Sequence, residues 1–145
     1  MKKVKWFRQE RPYSCGAACL RMVLDFHGID IPEDELRQRT KTKPDIGSHP
    51  ISIVEAVKSL ELTANFSQPS LKKLQSVVNK GYPAIAFIVK ITEDFFYHHA
   101  VVIEQISKTQ VTILDPEEGR VTVARNDFEL TWSAAGTLAI VIKTK

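Results

Sequence analysis

Apolar residues recur at two different spacings along the chain, and the change from one to the other divides it. Cys15, Ala18, Cys19, Met22, Val23 and Phe26 fall three and four apart, the spacing that lines one face of an α-helix. Ser14 stands where an N-cap belongs, and Gly28 where such a helix closes. Asp30 to Leu36 predicts a second, short, charged helix, with Pro32 near its first turn and acidic residues at the positive end of its dipole. A third helix is expected behind Ser48 as cap, with Ile51, Val54, Val57 and Leu60 as its face. A fourth follows Ser70 through Leu71, Leu74, Val77 and Val78, with Gly81 past its end.

From Ala84 onward the pattern is that of strands. Ala84–Val89 is an unbroken apolar run, as expected of a strand buried on both faces. Ala100–Ile103, Val111–Leu114, Val121–Val123 and Leu138–Ile142 predict further strands. Asp115-Pro116-Glu117-Glu118-Gly119 reads as a turn, and Asn126 to Trp132 as a short helix or turn between the last two strands. Helices first and strands afterwards predict an α+β fold, N-terminal helices packed on a largely antiparallel C-terminal sheet.

Composition narrows the function classes. At 145 residues, with no repeat or low-complexity linker, the chain reads as one domain spanning 1–145. Its 43% hydrophobic and 26% charged residues exclude disorder, collagen and a coiled-coil rod. A net charge of +3 is too small, and too little gathered, for a nucleic-acid partner. Lys72, Lys73, Lys80 and the run from Arg37 to Lys43 read as solvated helix faces. The basic start, Met1 to Arg8, has no apolar segment behind it and is not a signal peptide. No stretch approaches the ~18 apolar residues of a membrane span. Cys15 and Cys19 are too few and too close for a disulfide framework, which points to a reducing, cytoplasmic setting.

Four features carry candidate chemistry. Cys15 opens the first helix, where unpaired N–H groups and the dipole favour a thiolate, the nucleophilic form of cysteine. Gly16 behind it leaves room for a carbonyl to approach the backbone. Cys19, one turn on, lies on the apolar face and reads as core. His98 and His99 lead into the Ala100 strand, and pleat alternation lets only one of them face a cleft. Asp115 ends the next strand, within reach of a histidine on a hairpin neighbour, where a carboxylate would fix the ring's tautomer. Gln9, upstream of the cysteine, offers an amide donor for an oxyanion. Zinc held by Cys15, Cys19 and a histidine fits no common spacing, and the chain reads as needing neither metal nor organic cofactor.

Glutamine, then cysteine at a helix start, histidine at a strand start and aspartate at the next strand end is the papain-like order. Gln9-Glu10-Arg11-Pro12-Tyr13-Ser14-Cys15-Gly16-Ala17-Ala18-Cys19-Leu20-Arg21-Met22 resembles the opening of the bacteriocin-processing, double-glycine peptidases. His99-Ala100-Val101-Val102-Ile103 and Leu114-Asp115-Pro116 are similar to that family's histidine and aspartate blocks. The resemblance runs from about Lys5 to Val141. It implies a papain-like cysteine peptidase with Cys15 as nucleophile, His99 as base, Asp115 as orienting carboxylate and Gln9 at the oxyanion hole. It also implies a peptide substrate cut after a small-small pair such as Gly-Gly, and a separate exporter of the ABC class as partner. Ser14 stands where the family usually has aspartate, and Ala100 where it usually has an aromatic residue. The chain reads as a standalone domain with no transmembrane segment of its own. Two other uses of the same residues stay open: a non-catalytic peptide-docking module, and acyl or peptidyl transfer or deamidation through the same triad.

Overall fold

The computed structural model describes residues 2–144. Among them the elements run α1 (Cys15–Phe26), α2 (Glu33–Arg39), α3 (Pro50–Ser59), β1 (Thr63–Ser67), α4 (Leu71–Asn79), β2 (Ala84–Ile91), β3 (Phe96–Ile106), β4 (Gln110–Asp115), β5 (Gly119–Ala124), α5 (Arg125–Ala134) and β6 (Ala139–Lys143). The strands form one sheet in the order β1-β6-β2-β3-β4-β5, each neighbouring pair antiparallel. This is the α+β arrangement the pattern predicts, with helices on both faces of the sheet.

The two faces are visible in the alternation of β2. Ile85 and Phe87 face α1, α2 and α3, in a core with Leu20, Val23, Leu36, Ile53, Ala100 and Val102. Ala84, Ala86 and Ile88 face α4 and α5, with Leu74, Val78, Phe128 and Trp132. Period-two alternation with apolar residues on both sides is what the unbroken run demands. α4 therefore parts from the other early helices and covers the opposite face.

Three local expectations are corrected. β1 lies between α3 and α4 and was not foreseen. It is an edge strand that pairs only with β6, and only Ala64 and Phe66 of its five residues are even half-buried against the core. The third helix is capped by His49 rather than Ser48: His49 Nδ1 accepts the Ile51 N–H at 3.1 Å, and Pro50 starts the helix. Ser48 is drawn instead into a hydroxyl cluster with Thr40 and Thr42. The inward stripe of α3 is accordingly Ile53, Ala56 and Val57, and Ile51 lies off it, 51% exposed. Pro32 occupies the N-cap position of α2, just ahead of its first turn.

Two features of this architecture position the site. The N-terminal end of α1 packs against β3. β4 ends at Asp115, so the edge of β3 from Ala100 back to Phe96 has no strand beside it on that side.

Candidate active site

The first turn of α1 is left open for an anion. Ser14 takes the N-cap position, but its hydroxyl turns away from the helix and bonds the Arg11 carbonyl and N–H, each at 3.0 Å. No side chain caps the helix, and no acidic residue stands in its first turn. The dipole end thus acts on Cys15, the first helical residue. Cys15 is half-buried, and its Sγ accepts the Ala100 N–H at 3.4 Å. Ala100 can donate to it because β4 has already ended. Gly16 has a packing reason of its own: a Cβ there would lie 3.1 Å from Ser48 Cβ and 3.2 Å from Ile53 Cδ1. Cys19 is fully buried, as expected. Burial pushes its thiol up, and the charges of Cys15 and Asp115 add to that. It belongs to the core and not to a ligand set.

Strand register separates the two histidines. His98 is exposed, while His99 is buried at 2%. Val102 pairs with Leu114, which puts Asp115 beside Val101, on the face that His99 shares two residues earlier. His99 Nε2 meets Asp115 Oδ1 at 2.7 Å. That leaves Nδ1 for the other side of the ring, and the Cys15 sulfur lies near enough to add to the raising of the imidazole. Cys15, His99 and Asp115 are therefore brought together, and His98 is not part of the cluster.

The cluster is larger than the sequence suggested. Ile88 pairs with His99 and Lys90 with Tyr97, so Lys90 shares the histidine's face one step along β2. Its Nζ lies 2.7 Å from Asp115 Oδ2, 3.2 Å from Glu117 and 3.5 Å from Glu118. Glu117 Oε1 accepts the Tyr97 hydroxyl at 2.9 Å and lies 3.4 Å from His99 Nε2. The Glu117 N–H donates to Asp115 Oδ1 at 2.8 Å, closing the turn, and Gly119 completes it at φ +103. Lys90 carried a faint signal, a single charge ending an apolar strand. Glu117 carried none beyond its turn. Among the described residues, His99, Asp115 and Glu117 are also the one group of three close metal-ligand types, and the Lys90 ammonium already binds both of its carboxylates.

The electrostatics follow from these contacts. Burial works against a charged His99, but Asp115, and after it the Cys15 sulfur, outweigh this and raise the ring to about 9. Burial likewise works against a charged Asp115; the bonds from His99, Lys90 and the Glu117 N–H overcome it and hold the carboxyl well below the usual range. Lys90 is raised, because the two carboxylates outweigh its own burial.

The N-terminal arm closes the other side. Trp6 Nε1 donates to the Asp115 carbonyl at 2.7 Å, Arg8 to the Glu117 carbonyl at 2.8 Å, and the Gln9 N–H to the Pro116 carbonyl at 3.0 Å. Gln9 is thus tied to the turn that carries Asp115. Its side-chain Nε2 donates to the carbonyls of Arg11 and Pro12, at 2.8 and 3.2 Å, and its Oε1 is buried without a partner. A cleft of about 380 Å³ opens over Cys15, His98 and His99, walled by Phe66, Phe87 and Leu138 and by the loop from Ile46 to Pro50.

The chain matches the Peptidase C39 family over residues 3–145. It belongs to that family. Membership places it among the cysteine peptidases, and the resemblance to the bacteriocin-processing, double-glycine peptidases is upheld. It is 26% identical over 133 residues to the lactococcin-G-processing and transport ATP-binding protein LagD of Lactococcus lactis, covering 92% of this chain and 18% of that protein. The chain thus spans less than a fifth of that relative. Its fold is that of the peptidase domain of Streptococcus ComA, a bifunctional ABC transporter, with a TM-score of 0.85 at 24% identity over 99% of this chain and 100% of that one. It also superposes on a double-glycine-motif protease from an AMS/PCAT transporter, solved with its leader peptide, with a TM-score of 0.81 at 23% identity over 99% and 93% of the two chains. These likenesses give the papain-like fold class. Among the described residues, no helix of this chain is long and apolar enough to cross a membrane.

Proposed function

We propose that this chain cleaves the leader of a small precursor peptide, after a small-small pair such as Gly-Gly, through Cys15, His99 and Asp115. The observation that carries the reading is the buried His99 ring, held through Nε2 on Asp115 at 2.7 Å and sharing one cleft with Cys15, whose sulfur helps to raise it. In this mechanism the Cys15 proton passes to His99 Nδ1, and Sγ attacks the scissile carbonyl at the open end of α1. The carbonyl oxygen becomes an anion, met by the Cys15 N–H and by the Gln9 amide. Gln9 has two amide hydrogens, both turned to main-chain carbonyls in the resting structure, and an oxyanion draws one of them away. The tetrahedral adduct collapses as imidazolium protonates the leaving amine, which releases the C-terminal product. Water, deprotonated by the same ring, then hydrolyses the thioester and frees the leader. Asp115 keeps the ring in one tautomer throughout.

The substrate follows from likeness and shape together. LagD is named for processing a bacteriocin, and the AMS/PCAT protease was captured with a leader peptide. The cleft here is lined by Phe66, Phe87 and Leu138 and by the segment from Ile46 to Pro50, an apolar setting that suits residues with small side chains. A separate exporter of the ABC class is the partner, and the cytoplasm the compartment, that this reading implies. Synthetic leader peptides with and without a Gly-Gly pair, incubated with the protein and read by mass spectrometry, test it. Cleavage directly after the pair is expected, with loss of cleavage in Cys15→Ala. An intact peptide, or products joined to an added amine in place of hydrolysed ones, would overturn hydrolysis as the reaction.

A further inference from the structure

We propose that Lys90 is a positioning residue of this site: it clamps the second oxygen of Asp115 and, with Glu117, sets the charge against which His99 takes up and releases its proton. The proposal rests on the Cys15–His99–Asp115 reading given above.

Asp115 is buried at 3% exposure and has two oxygens to satisfy. Oδ1 accepts from His99 and from the Glu117 N–H, at 2.7 and 2.8 Å. Oδ2 meets the Lys90 ammonium at 2.7 Å. Without Lys90 that second oxygen is a buried ion without a partner, which costs far more than the bond itself contributes. The carboxylate is then free to turn about its own axis and leave its line with the histidine ring. Lys90 is placed for the clamp by its strand. It pairs with Tyr97 across the ladder, and its ammonium offers three donors to the carboxylates of Asp115, Glu117 and Glu118.

Charge gives the second half of the argument. Two carboxylates approach His99 Nε2, Asp115 at 2.7 Å and Glu117 at 3.4 Å. Acting together they would hold the imidazolium so firmly that it became a poor acid toward a leaving amine. Lys90 sits between the two and leaves one net negative charge. The remaining groups around the ring come from every packed element. Cys15 belongs to α1, and Tyr97, on the same strand, stands edge-on at 5.9 Å. The Glu118 carboxylate pairs with Lys90 at 3.5 Å, His98 is exposed, and His49 lines the same cleft. None of these replaces a cation at Lys90.

The test compares Lys90→Met, Lys90→Arg, Glu117→Gln and the Lys90→Met/Glu117→Gln double variant with the parent. The His99 ring is titrated directly by nitrogen-15 correlation spectroscopy, and cleavage of a Gly-Gly leader peptide is followed over the same pH range. Lys90→Met should move the His99 midpoint up by about half a pH unit or more, and Glu117→Gln should move it down by a similar amount. The double variant should return it to the parent position, and Lys90→Arg should stay there. In Lys90→Met, kcat should fall ~10-fold or more with KM held. An unmoved midpoint in both single variants, or two shifts of the same sign, overturns the proposal. If Lys90→Met does not fold, Glu117→Gln decides alone: a midpoint that stays put overturns it. Failure of the peptidase reading shows differently, as cleavage that persists in Cys15→Ala whatever the histidine does.

Discussion

The first and second turns of α1 carry the same residue type in opposite circumstances. Cys15 stands at an uncapped helix end beside a cleft, with a main-chain N–H on its sulfur and a histidine within reach. Cys19, one turn on, is fully buried among Leu20, Val23 and the sheet, and its thiol is pushed up by burial. Nothing in the side chains distinguishes the two; position on the helix does. His98 and His99 repeat the lesson on a strand, where one residue's difference in pleat turns one ring to solvent and the other to Asp115. In both pairs the backbone chooses the chemistry.

Exchanging members of these pairs breaks the comparison most severely. Cys15→Ala should remove cleavage of a leader peptide altogether, because Cys15 is the one thiol lining the cleft with His99, Cys19 being buried. Its far-ultraviolet circular dichroism should match the parent, since a half-buried thiol at a cleft edge supports little of the core. Next in size, His99→Ala should lower kcat by ~10²–10⁴, the range for loss of a general acid–base group. His98→Ala should stay within a few-fold of the parent. Peptide turnover in the two histidine variants, measured side by side, decides this, and a dead His98 variant would move the triad to the other ring.

Gln9 sharpens the comparison from the N-terminal side. If its amide meets the oxyanion, Gln9→Ala should lower kcat by ~10²–10³ and leave KM nearly alone. Its bonds to the carbonyls of Arg11 and Pro12 offer a rival role, holding the turn that precedes Cys15. That role would appear as a lower melting temperature with a modest effect on kcat.

Asp115→Asn should act mainly on pH dependence. His99 is raised from 6.5 to about 9, chiefly by Asp115 against the effect of burial. The basic limb of kcat/KM, where imidazolium loses its proton, should therefore fall from near pH 9 toward 6.5 in this variant. Stability follows the same shifts. The proton on His99 is bound more tightly in the folded state, so its contribution is complete below pH 6.5 and is lost as pH rises through about 9. The depressed Asp115 contributes above its unfolded value of 3.8 and loses that contribution as pH falls below it. Together they stabilise the parent most between those two unfolded values, and denaturant titrations of parent and Asn variant across pH 3–10 should diverge most there.

Part of this site was legible because two of its residues sit at element ends, and element ends leave marks in sequence. Cys15 follows a cap-type serine and Asp115 stands before a proline; His99, expected at a strand start, lies instead inside β3, which begins at Phe96 because Phe96 to His98 pair with β2 ahead of the apolar run. The hairpin pairing of β3 with β4 that joins them was also readable from two short apolar runs and a turn. What was not legible depends on register. The choice of His99 over His98 needs the Val102–Leu114 pairing, and a slip of one residue reverses it. Lys90 becomes part of the site only once its pairing with Tyr97 places it on the histidine's face. β1 left almost no mark, because five residues with two half-buried side chains do not outweigh polar neighbours. The cap of α3 went to His49 because Pro50 fixed where the helix starts, and Ser48 had nearer hydroxyl partners in Thr40 and Thr42.

The smallest effect belongs to the other half of the opening pair. Cys19→Ala removes one buried sulfur from a packed helix–sheet contact and touches nothing in the cleft. A truncation of that size in a core costs on the order of 1 kcal/mol, somewhat more if the neighbours cannot close over the space. For a domain of this length that lowers the melting temperature by a few degrees, about 2–6 °C. Cleavage at a temperature well below unfolding should be unchanged, and so should the rate at which iodoacetamide modifies the protein. The reason is that Cys19, fully buried and with its thiol pushed up, presents neither access nor thiolate to the reagent. Mass spectrometry after alkylation should find one modified cysteine in the parent and one in the Cys19 variant, both at Cys15. A second modified site in the folded parent would mean that α1 opens along its length, and the contrast between its two turns would then be one of degree.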